Sequence, residues 1–303
     1  MKRVLMTAGV LAAAGIVVAG VARSARRPSA YTLGIFANGM EETRFGNGVK
    51  TLLWIPDPTH TSPTGPYLRF MAKALEPFVA AGFCVHLVAR KPHLAVDVTA
   101  TDLARDYADL ISHEFAGRVE LVVADSQGGV IGYCLAALRP DLCRSLATVA
   151  ASYSMNPPAR EATVESARLL SQGHRTDAAA AMVGVQFPRL RSPWLVRVAA
   201  TVIGRVSFPN EYNPKDVLAA AMAVNDPEVA GILPDISVPV LLVCGDSDQF
   251  ASLELYEETA RLIPNSTLTV YPGKGHLGTI SDEHLAPDIL EFARRTRPTP
   301  LRG

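Results

Sequence analysis

The sequence predicts an α/β fold, in which a mostly parallel sheet is flanked by helices. Three observations predict it: apolar runs of strand length, segments with helical spacing between them, and Pro, Gly or charged residues at their ends. Strands that alternate with helices pair in parallel, and the helices then cover both faces of the sheet. With 303 residues, of which 49% are hydrophobic and 19% charged, the chain can build the core that this fold needs.

The predicted elements follow one another in a regular order. Strand-like runs, such as TLLWI at residues 51–55, lie at residues 31–36, 51–55, 84–88, 119–123, 146–149, 238–244 and 268–271. Apolar residues recur every three or four positions, as in a helix with one buried face, at residues 67–81, 102–115, 130–137, 253–262 and 288–295. Asp102 stands near the start of the second of these helices.

The middle of the chain interrupts the alternation of strands and helices. Residues 155–234 contain helical patches and no convincing strand, so we expect a helical lid inserted into a core of residues 31–154 and 235–303. Within this insertion, residues 194–206 are almost entirely apolar. We expect them to pack onto the core, and the alternative is a surface that faces lipid or substrate.

The N-terminal residues 1–30 form a separate unit. Two basic residues precede residues 4–22, an apolar stretch interrupted only by Thr7, and three arginines follow it. This layout is typical of a signal peptide or a membrane anchor, whereas a core helix would have a polar face. We therefore expect a membrane-anchored or exported protein, with possible membrane association through residues 4–22. If this segment does not function as a leader, the protein is cytoplasmic.

Composition and missing motifs limit the choice of partners. The 29 basic residues balance the 29 acidic ones, which argues against nucleic acid as a partner. The four cysteines lie in apolar runs without a Cys-x-x-Cys pair, and we interpret them as core residues. His113 and Glu114 lack the second histidine of a zinc motif because Gly117 occupies its position. No Gly-x-Gly-x-x-Gly follows a strand, so a dinucleotide cofactor is not expected. Because the zinc motif is also incomplete, no metal is expected.

Ser126 stands in a turn that suits a nucleophile. Residues 124–129 read ADSQGG and connect a buried strand to a helix. In such a tight turn only small side chains fit two positions before and two positions after the nucleophile, and Ala124 and Gly128 meet this requirement. If Asp125 were the nucleophile, Val123 and Gln127 would occupy the cramped positions, and neither fits. The alternative to a nucleophile elbow is a serine in an ordinary strand-to-helix turn.

A serine hydroxyl needs a base, and the base needs an orienting acid. Of the seven histidines, only two follow the penultimate strand: His276, in the Gly-rich turn at residues 272–278, and His284, at a probable helix start. We favour His276 because a loop after a strand can bring it onto the serine. The acid should follow the strand that ends at Cys244, and there Asp248 is placed to reach the imidazole, while Asp246 is placed to stabilise the turn.

These three motifs resemble, in order and spacing, those of the α/β-hydrolase family, over residues 33–295. The stretch Gly-Met-Glu-Glu-Thr-Arg-Phe-Gly at residues 39–46 is similar to one found in the group related to proline iminopeptidases and in uncharacterised actinobacterial hydrolases. The resemblance implies a triad of Ser126, Asp248 and His276, no cofactor, and hydrolysis of a small ester, amide or thioester through an acyl-enzyme.

The sequence departs from this family in the loop that should complete the oxyanion hole. One N–H donor is expected from Gln127 and the other from the loop after residues 51–55. Relatives have a Gly-rich stretch there, whereas here the expected donor is Pro58, which has no N–H. Three possibilities remain open. The backbone of Thr59 donates, a side chain of Thr59, His60 or Thr61 substitutes, or the hole is incomplete.

Asp57 also bears on whether the oxyanion hole can work, because a carboxylate in the hole would repel the developing oxyanion. We expect Asp57 to point into solvent. The sequence thus predicts a serine hydrolase, either a carboxylesterase or a peptidase-like enzyme, that acts on a small acyl substrate. The same three residues would serve a cofactor-free haloperoxidase or an acyltransferase. The alternative from another class is a degenerate hydrolase fold that binds a ligand without turnover.

Overall fold

The computed structural model describes residues 31–58, 65–188, 190, 192–207 and 213–296. Within these residues one sheet has the strand order β1-β2-β4-β3-β5-β6-β7-β8. The strands are β1 (Tyr31–Ile35), β2 (Glu41–Phe45), β3 (Lys50–Ile55), β4 (Phe83–Val88), β5 (Leu121–Asp125), β6 (Leu146–Val149), β7 (Val240–Gly245) and β8 (Ser266–Tyr271). β2 pairs antiparallel with β1 and with β4, and the other pairs are parallel. The predicted fold class is therefore confirmed.

Helices cover both faces of this sheet. They are α1 (Gly65–Ala80), α2 (Ala100–Glu114), α3 (Gly128–Leu138), α4 (Pro157–Ser171), α5 (Arg175–Gln186), α6 (Pro193–Ser207), α7 (Pro214–Ala223), α8 (Leu253–Leu262), α9 (His276–Ile280) and α10 (Leu285–Arg295). Short 3-10 segments span Pro140–Leu142 and Pro227–Asp235. Asp102 lies in the first turn of α2, as predicted, and it forms a reciprocal capping box with Thr99.

The core consists of two apolar layers, one on each face of the sheet. α2 and α3 bury one face, and α1 and α10 bury the other. The central strands β5 and β7 are buried along their whole length, as expected for strands covered by helices on both faces. α3 is buried from Gly128 to Ala136, which explains why its sequence has no polar face. This packing fixes the carboxyl ends of β5 and β7, where the candidate site lies.

One strand was not predicted from the sequence. β2 reads EETRF, and only Thr43 and Phe45 in it are fully buried. The strand lies near the edge of the sheet, where one face meets solvent. Its three charged residues therefore interrupt the pattern of apolar residues that would have predicted a strand. The strand before Ser126 also differs from its prediction, since it runs through Asp125 instead of ending at residue 123.

Four helices, α4 to α7, lie between β6 and β7, in the segment where a lid is expected. Three of them, α4, α5 and α7, share a small apolar cluster that includes Leu170 and Val217. The expectation that residues 194–206 pack onto the core holds only in part. α6 contacts α5 and α1 and buries Ala200, but Trp194, Val198 and Val202 are exposed. These three residues are four positions apart, so they form one solvent-facing stripe.

The described residues contain no helix that is long and apolar enough to cross a bilayer. The predicted leader or anchor at residues 4–22 lies outside the described part of the chain.

Candidate active site

Ser126 occupies a strained turn directly after β5. Its φ of 53° lies in the left-handed region, which residues other than glycine rarely adopt. The turn is held at both ends: the Ser126 N–H donates to the carbonyl oxygen of Val149 at 2.9 Å, and the Gly129 N–H donates to the Ser126 carbonyl oxygen at 3.0 Å. This is the geometry expected of a nucleophile elbow.

The small residues around Ser126 are required by close contacts. A Cβ at Gly128 would lie 2.5 Å from the carbonyl oxygens of both Ile55 and Pro56. A Cβ at Gly129 would lie 2.3 Å from the Cβ of Ala151. Real Cβ atoms do not approach other atoms so closely, so glycine allows α3 to pack against the ends of β3 and β6. The first contact also brings the turn after β3 next to Ser126.

Ser126, His276 and Asp248 form one chain of hydrogen bonds. The Oγ of Ser126 lies 3.0 Å from Nε2 of His276, and Nδ1 of His276 lies 2.9 Å from Oδ2 of Asp248. An ionised carboxylate only accepts hydrogen bonds, so Nδ1 carries the hydrogen, and Nε2 is left to accept from the serine hydroxyl. The structure thus brings together the three residues that the sequence singled out.

The loops after β7 and β8 touch, and this contact brings Asp248 to His276. A Cβ at Gly245 would lie 2.1 Å from the carbonyl oxygen of Lys274, and the Ser247 N–H donates to that oxygen at 3.0 Å. His276 is the first residue of α9. The ring of Phe250 packs on its imidazole with 4.5 Å between the ring centroids.

Asp248 is held by three donors. Its Oδ1 accepts from the Phe250 N–H at 2.8 Å, and its Oδ2 accepts from the Tyr256 hydroxyl at 2.8 Å and from His276. Burial alone raises the pKa of the Asp248 carboxyl, but the positive His276 and the three donors outweigh burial, so this pKa lies below its ordinary value. Asp248 is therefore a carboxylate at neutral pH.

Burial and nearby charges also act in opposite directions on the pKa of His276. Burial alone lowers the pKa of His276, but the Asp248 carboxylate raises it, and the charges of Asp57 and Asp125 raise it further. The pKa of His276 consequently lies above its ordinary value. The neutral imidazole therefore accepts a proton readily, and the carboxylate of Asp248 stabilises the protonated imidazolium.

The alternatives considered from the sequence have other contacts. Oδ1 of Asp246 accepts from the Gly273 N–H at 2.7 Å and from the Ser247 hydroxyl at 3.0 Å, so Asp246 joins the two loops. His284 pairs with Asp282 at 2.8 Å, and 70% of its side chain is exposed. Asp125 is buried within β5 and accepts a hydrogen bond from the indole N–H of Trp54.

The predicted oxyanion loop is described only up to Pro58. Thr59, His60 and Thr61 lie outside the described residues. Asp57 is half-buried, and its negative charge raises the pKa of His276, so the expectation that Asp57 points into solvent stays a prediction. The other predicted donor, Gln127, is buried at the N-cap of α3, where the helix dipole favours negative charge.

The side chain of Gln127 also lies under the inserted helices. Its Nε2 is 4.0 Å from the sulfur of Met155, which precedes α4, and its buried Oε1 has no hydrogen-bond partner among the described residues. An unsatisfied buried acceptor is uncommon and costs free energy. The amide therefore has a hydrogen-bonding capacity that the described part of the chain does not use.

Arg90 is the site residue that sequence reasoning missed. It follows β4, is 3% exposed, and donates from Nε to the Pro58 carbonyl oxygen at 2.7 Å. Its Nη1 lies 3.4 Å from Oδ2 of Asp216 in α7. The two residues are 126 positions apart and belong to no local motif, so no sequence signal connects them.

Comparison with known proteins identifies the class that this fold and site define. Residues 60–286 match the model of the family described as "Alpha/beta hydrolase family", and the chain belongs to that family. A relative from Stutzerimonas stutzeri, named "Putative carbamate hydrolase RutD", is 25% identical over 173 residues, which are 55% of this chain and 63% of that protein. The match therefore spans less than two thirds of that relative.

Two solved structures illustrate the similarity of fold. The structure of carboxylesterases from Nitrososphaera gargenis has a TM-score of 0.68 at 17% identity and covers 88% of this chain and 98% of that one. The structure of a thermophilic esterase from Thermogutta terrifontis has a TM-score of 0.64 at 21% identity and covers 89% of this chain and all 100% of that one. At these identities the likeness concerns the fold.

Proposed function

We propose that this protein is a serine hydrolase that cleaves a small ester or amide through an acyl-enzyme. Ser126 is the nucleophile, His276 the general base and Asp248 the orienting acid. The observation that carries the proposal is the continuous hydrogen-bond chain from Ser126 Oγ through the imidazole to Asp248, which starts at a residue in strained conformation. Strain of this kind is typical of functional sites, since packing alone gives no reason for it.

The reaction proceeds in two halves. Nε2 of His276 takes the hydroxyl proton while Ser126 Oγ attacks the carbonyl carbon, and the resulting imidazolium then gives that proton to the leaving group as its bond to carbon breaks. In the second half His276 takes a proton from water as the water oxygen attacks the acyl carbon, and the imidazolium then gives that proton to Ser126 Oγ as the bond between Oγ and the acyl carbon breaks and the acid leaves. The buried Asp248 carboxylate stabilises the imidazolium in each half.

The backbone N–H groups of Gln127 and Thr59 are our candidates for the oxyanion hole. Gln127 is the N-cap residue of α3, whose N-terminus favours the developing negative charge. Thr59 is proposed because Pro58, at the position where relatives supply a donor, has no N–H. The half-buried Asp57 opposes the same charge, so we expect the rate enhancement to be modest.

Two features bear on the substrate. The unpaired Oε1 of Gln127 would accept a hydrogen bond from a substrate N–H, which favours an amide or a carbamate over a simple ester. The name of the relative from Stutzerimonas stutzeri points to carbamates as well. Met155 lies against Gln127, so we propose that residues 155–234 act as the lid over this substrate. The closer grouping with proline iminopeptidases stays a prediction from the sequence.

The test is covalent labelling with a fluorophosphonate probe, read by mass spectrometry of the intact protein. We expect one adduct in the wild type and none in Ser126→Ala. Ser281→Ala is the matched control, because within the described residues this exposed hydroxyl donates to the carbonyl oxygen of Leu277 in α9, and its labelling should equal that of the wild type. An unlabelled wild type with a native circular dichroism spectrum contradicts the proposal.

The degenerate, ligand-binding alternative predicts a different result. It requires no turnover of p-nitrophenyl acetate or of a phenyl carbamate by the wild type, and no gain when glycine replaces Asp57 and Pro58 together. A large gain in that double variant would instead indicate a working triad beside an impaired oxyanion hole.

The cellular location remains a proposal based on the sequence. We propose that residues 1–30 export or anchor the protein, because the apolar residues 4–22 are flanked by basic residues. Fractionation of cells that express the full chain and a chain lacking residues 1–30 tests this proposal. Equal recovery of both proteins in the cytoplasmic fraction contradicts it.

A further inference from the structure

Asn156 joins the start of the inserted helices to the loop that holds Asp248. It is the last residue before α4. Its backbone N–H donates to the carbonyl oxygen of Phe250 at 2.8 Å, and its Nδ2 donates to the carbonyl oxygen of Gln249 at 3.4 Å. Its Oδ1 accepts from the Ser252 N–H at 3.3 Å. Three hydrogen bonds from one residue therefore hold this loop.

The side chain of Asn156 does not serve its own helix. An asparagine at an N-cap normally accepts a hydrogen bond from the N–H of the second or third helical residue. In α4 the first two residues are Pro157 and Pro158, which have no N–H, and within the described residues the Asn156 side chain makes no capping bond. Its two described side-chain bonds go to the loop after β7 instead. Helix capping therefore does not account for this residue.

The residues just before this asparagine are fixed to the core as well. The Tyr153 N–H donates to Oγ1 of Thr259 at 3.3 Å, and its hydroxyl donates to Oε2 of Glu258 at 3.1 Å. The sulfur of Met155 lies 4.0 Å from Nε2 of Gln127. The segment that enters α4 therefore contacts both α8 and the nucleophile turn, which gives it a defined position relative to the triad.

Phe250 connects the loop held by Asn156 to the imidazole. Its ring packs on His276 with 4.5 Å between the ring centroids, and its N–H donates to Oδ1 of Asp248 at 2.8 Å. Phe250 is buried, and its carbonyl oxygen accepts from the Asn156 N–H. The backbone of Phe250 is thus bonded on one side to the inserted segment and on the other side to the acid of the triad.

We propose that Asn156 is a positioning residue for His276. By holding the backbone of Phe250, it keeps the phenyl ring against one face of the imidazole and the Phe250 N–H on the carboxylate of Asp248. The torsion that rotates a histidine ring is broad, so contacts from outside must select the orientation that directs Nε2 at the serine hydroxyl. This inference rests on the proposed hydrolase function.

The test removes the hydrogen bonds of Asn156 in two steps. Asn156→Ala deletes both side-chain bonds and keeps the backbone N–H, whereas Asn156→Pro also deletes the N–H that bonds to Phe250. Proline suits this position because the φ of Asn156 is −53°. With p-nitrophenyl acetate we expect kcat to fall by about twofold to tenfold in Asn156→Ala and by about tenfold to a hundredfold in Asn156→Pro, with KM nearly unchanged.

A double-variant cycle separates positioning from a general loss of stability. Phe250→Leu removes the ring and keeps the backbone groups of residue 250. If Asn156 acts through the ring, Asn156→Pro should lower kcat by a clearly smaller factor in the Phe250→Leu background than in the wild type. A purely structural role would lower the thermal midpoint and give the same factor in both backgrounds.

Asn225→Ala is the matched control. Asn225 is also a part-buried asparagine of the inserted segment, and its Nδ2 donates to the carbonyl oxygen of Ala221 at 2.6 Å. Its replacement should lower the thermal midpoint and leave kcat unchanged. If Asn156→Pro does not fold, Asn156→Ala is measured in both Phe250 backgrounds, with the same expectation of a smaller factor beside leucine.

Four results would overturn the inference. A folded Asn156→Pro enzyme could keep the wild-type kcat, KM could rise with kcat unchanged, kcat could fall equally in both backgrounds, or Asn225→Ala could show the same kinetic loss. If the wild type neither hydrolyses p-nitrophenyl acetate nor takes the fluorophosphonate label, the proposed function fails and this inference falls with it. That outcome is recognised without any Asn156 variant.

Discussion

Tyr256 donates its hydroxyl to Oδ2 of Asp248, the same oxygen that accepts from His276. The tyrosine lies in α8, is 1% exposed, and has its ring in a small cluster with Cys244 and Ala251. A helix outside the three sequence motifs thereby fixes the orientation of the acid. The buried hydrogen bond also helps to keep Asp248 ionised, because it stabilises the charged form.

Replacing Tyr256 with phenylalanine should weaken both effects. We expect Tyr256→Phe to lower the free energy of unfolding by about 1.5–3 kcal/mol, as for a hydrogen bond to a charged group. It should also lower kcat/KM, since the imidazole loses part of its orientation. Urea denaturation and hydrolysis of p-nitrophenyl acetate measure the two changes. Tyr133→Phe is the control: this buried hydroxyl bonds to Thr148 and Ala151, so its loss should cost stability without this kinetic effect.

The pH dependence of kcat/KM should reveal the charge of Asp57. His276 must be neutral to accept the serine proton, so activity is lost as the pH falls through its raised pKa. Asp57→Asn removes one cause of that rise, and we expect the acid limb of the profile to move to lower pH. Asp141→Asn, at an exposed pair with Arg139, should leave the limb in place. An acid limb that stays fixed or moves upward in Asp57→Asn contradicts the prediction.

The contact between α3 and the end of β6 can be tested by exchanging two side chains. Gly129→Ala would place its Cβ 2.3 Å from that of Ala151, and we expect a loss of about 1–3 kcal/mol in the free energy of unfolding. Adding Ala151→Gly removes the clashing atom, so the double variant should recover stability relative to Gly129→Ala. Thermal denaturation of the three variants and the wild type gives the coupling between the two positions. Additive losses would argue against the contact.

Pro58→Gly distinguishes two interpretations of the oxyanion loop. If the second donor is the N–H that follows Pro58, a new N–H at position 58 lies one residue too early, and kcat should not rise. The flexible glycine should also lower the free energy of unfolding by about 0.4–1 kcal/mol through the entropy of the unfolded chain. Steady-state kinetics with p-nitrophenyl acetate provide the measurement. A clear increase in kcat would show that the proline impairs the hole.

Much of the candidate site was predictable because its residues stand in turns with strict local requirements. The space around Ser126 admits only small neighbours, and the spacing of Asp248 and His276 from the ends of their strands is short. β2 was not predictable in this way, because its charged residues Glu41, Glu42 and Arg44 interrupt the pattern of apolar and polar residues that predicts a strand. The Arg90–Asp216 pair was not predictable either, since it joins residues from two distant segments.

The sequence alone determined the parallel α/β class, the elbow at Ser126 and the short lists of acids and bases, because apolar periodicity and turn sterics are local properties. Only the tertiary structure decided which members of those lists meet: Asp248 and His276 touch, whereas Asp246 bonds the neighbouring loop and His284 is exposed. It also paired the Pro58 carbonyl with Arg90. The reason is that burial and electrostatic interactions depend on which residues are neighbours in space. The sequence does not show these neighbours directly, because the order of strands in the sheet differs from their order along the chain.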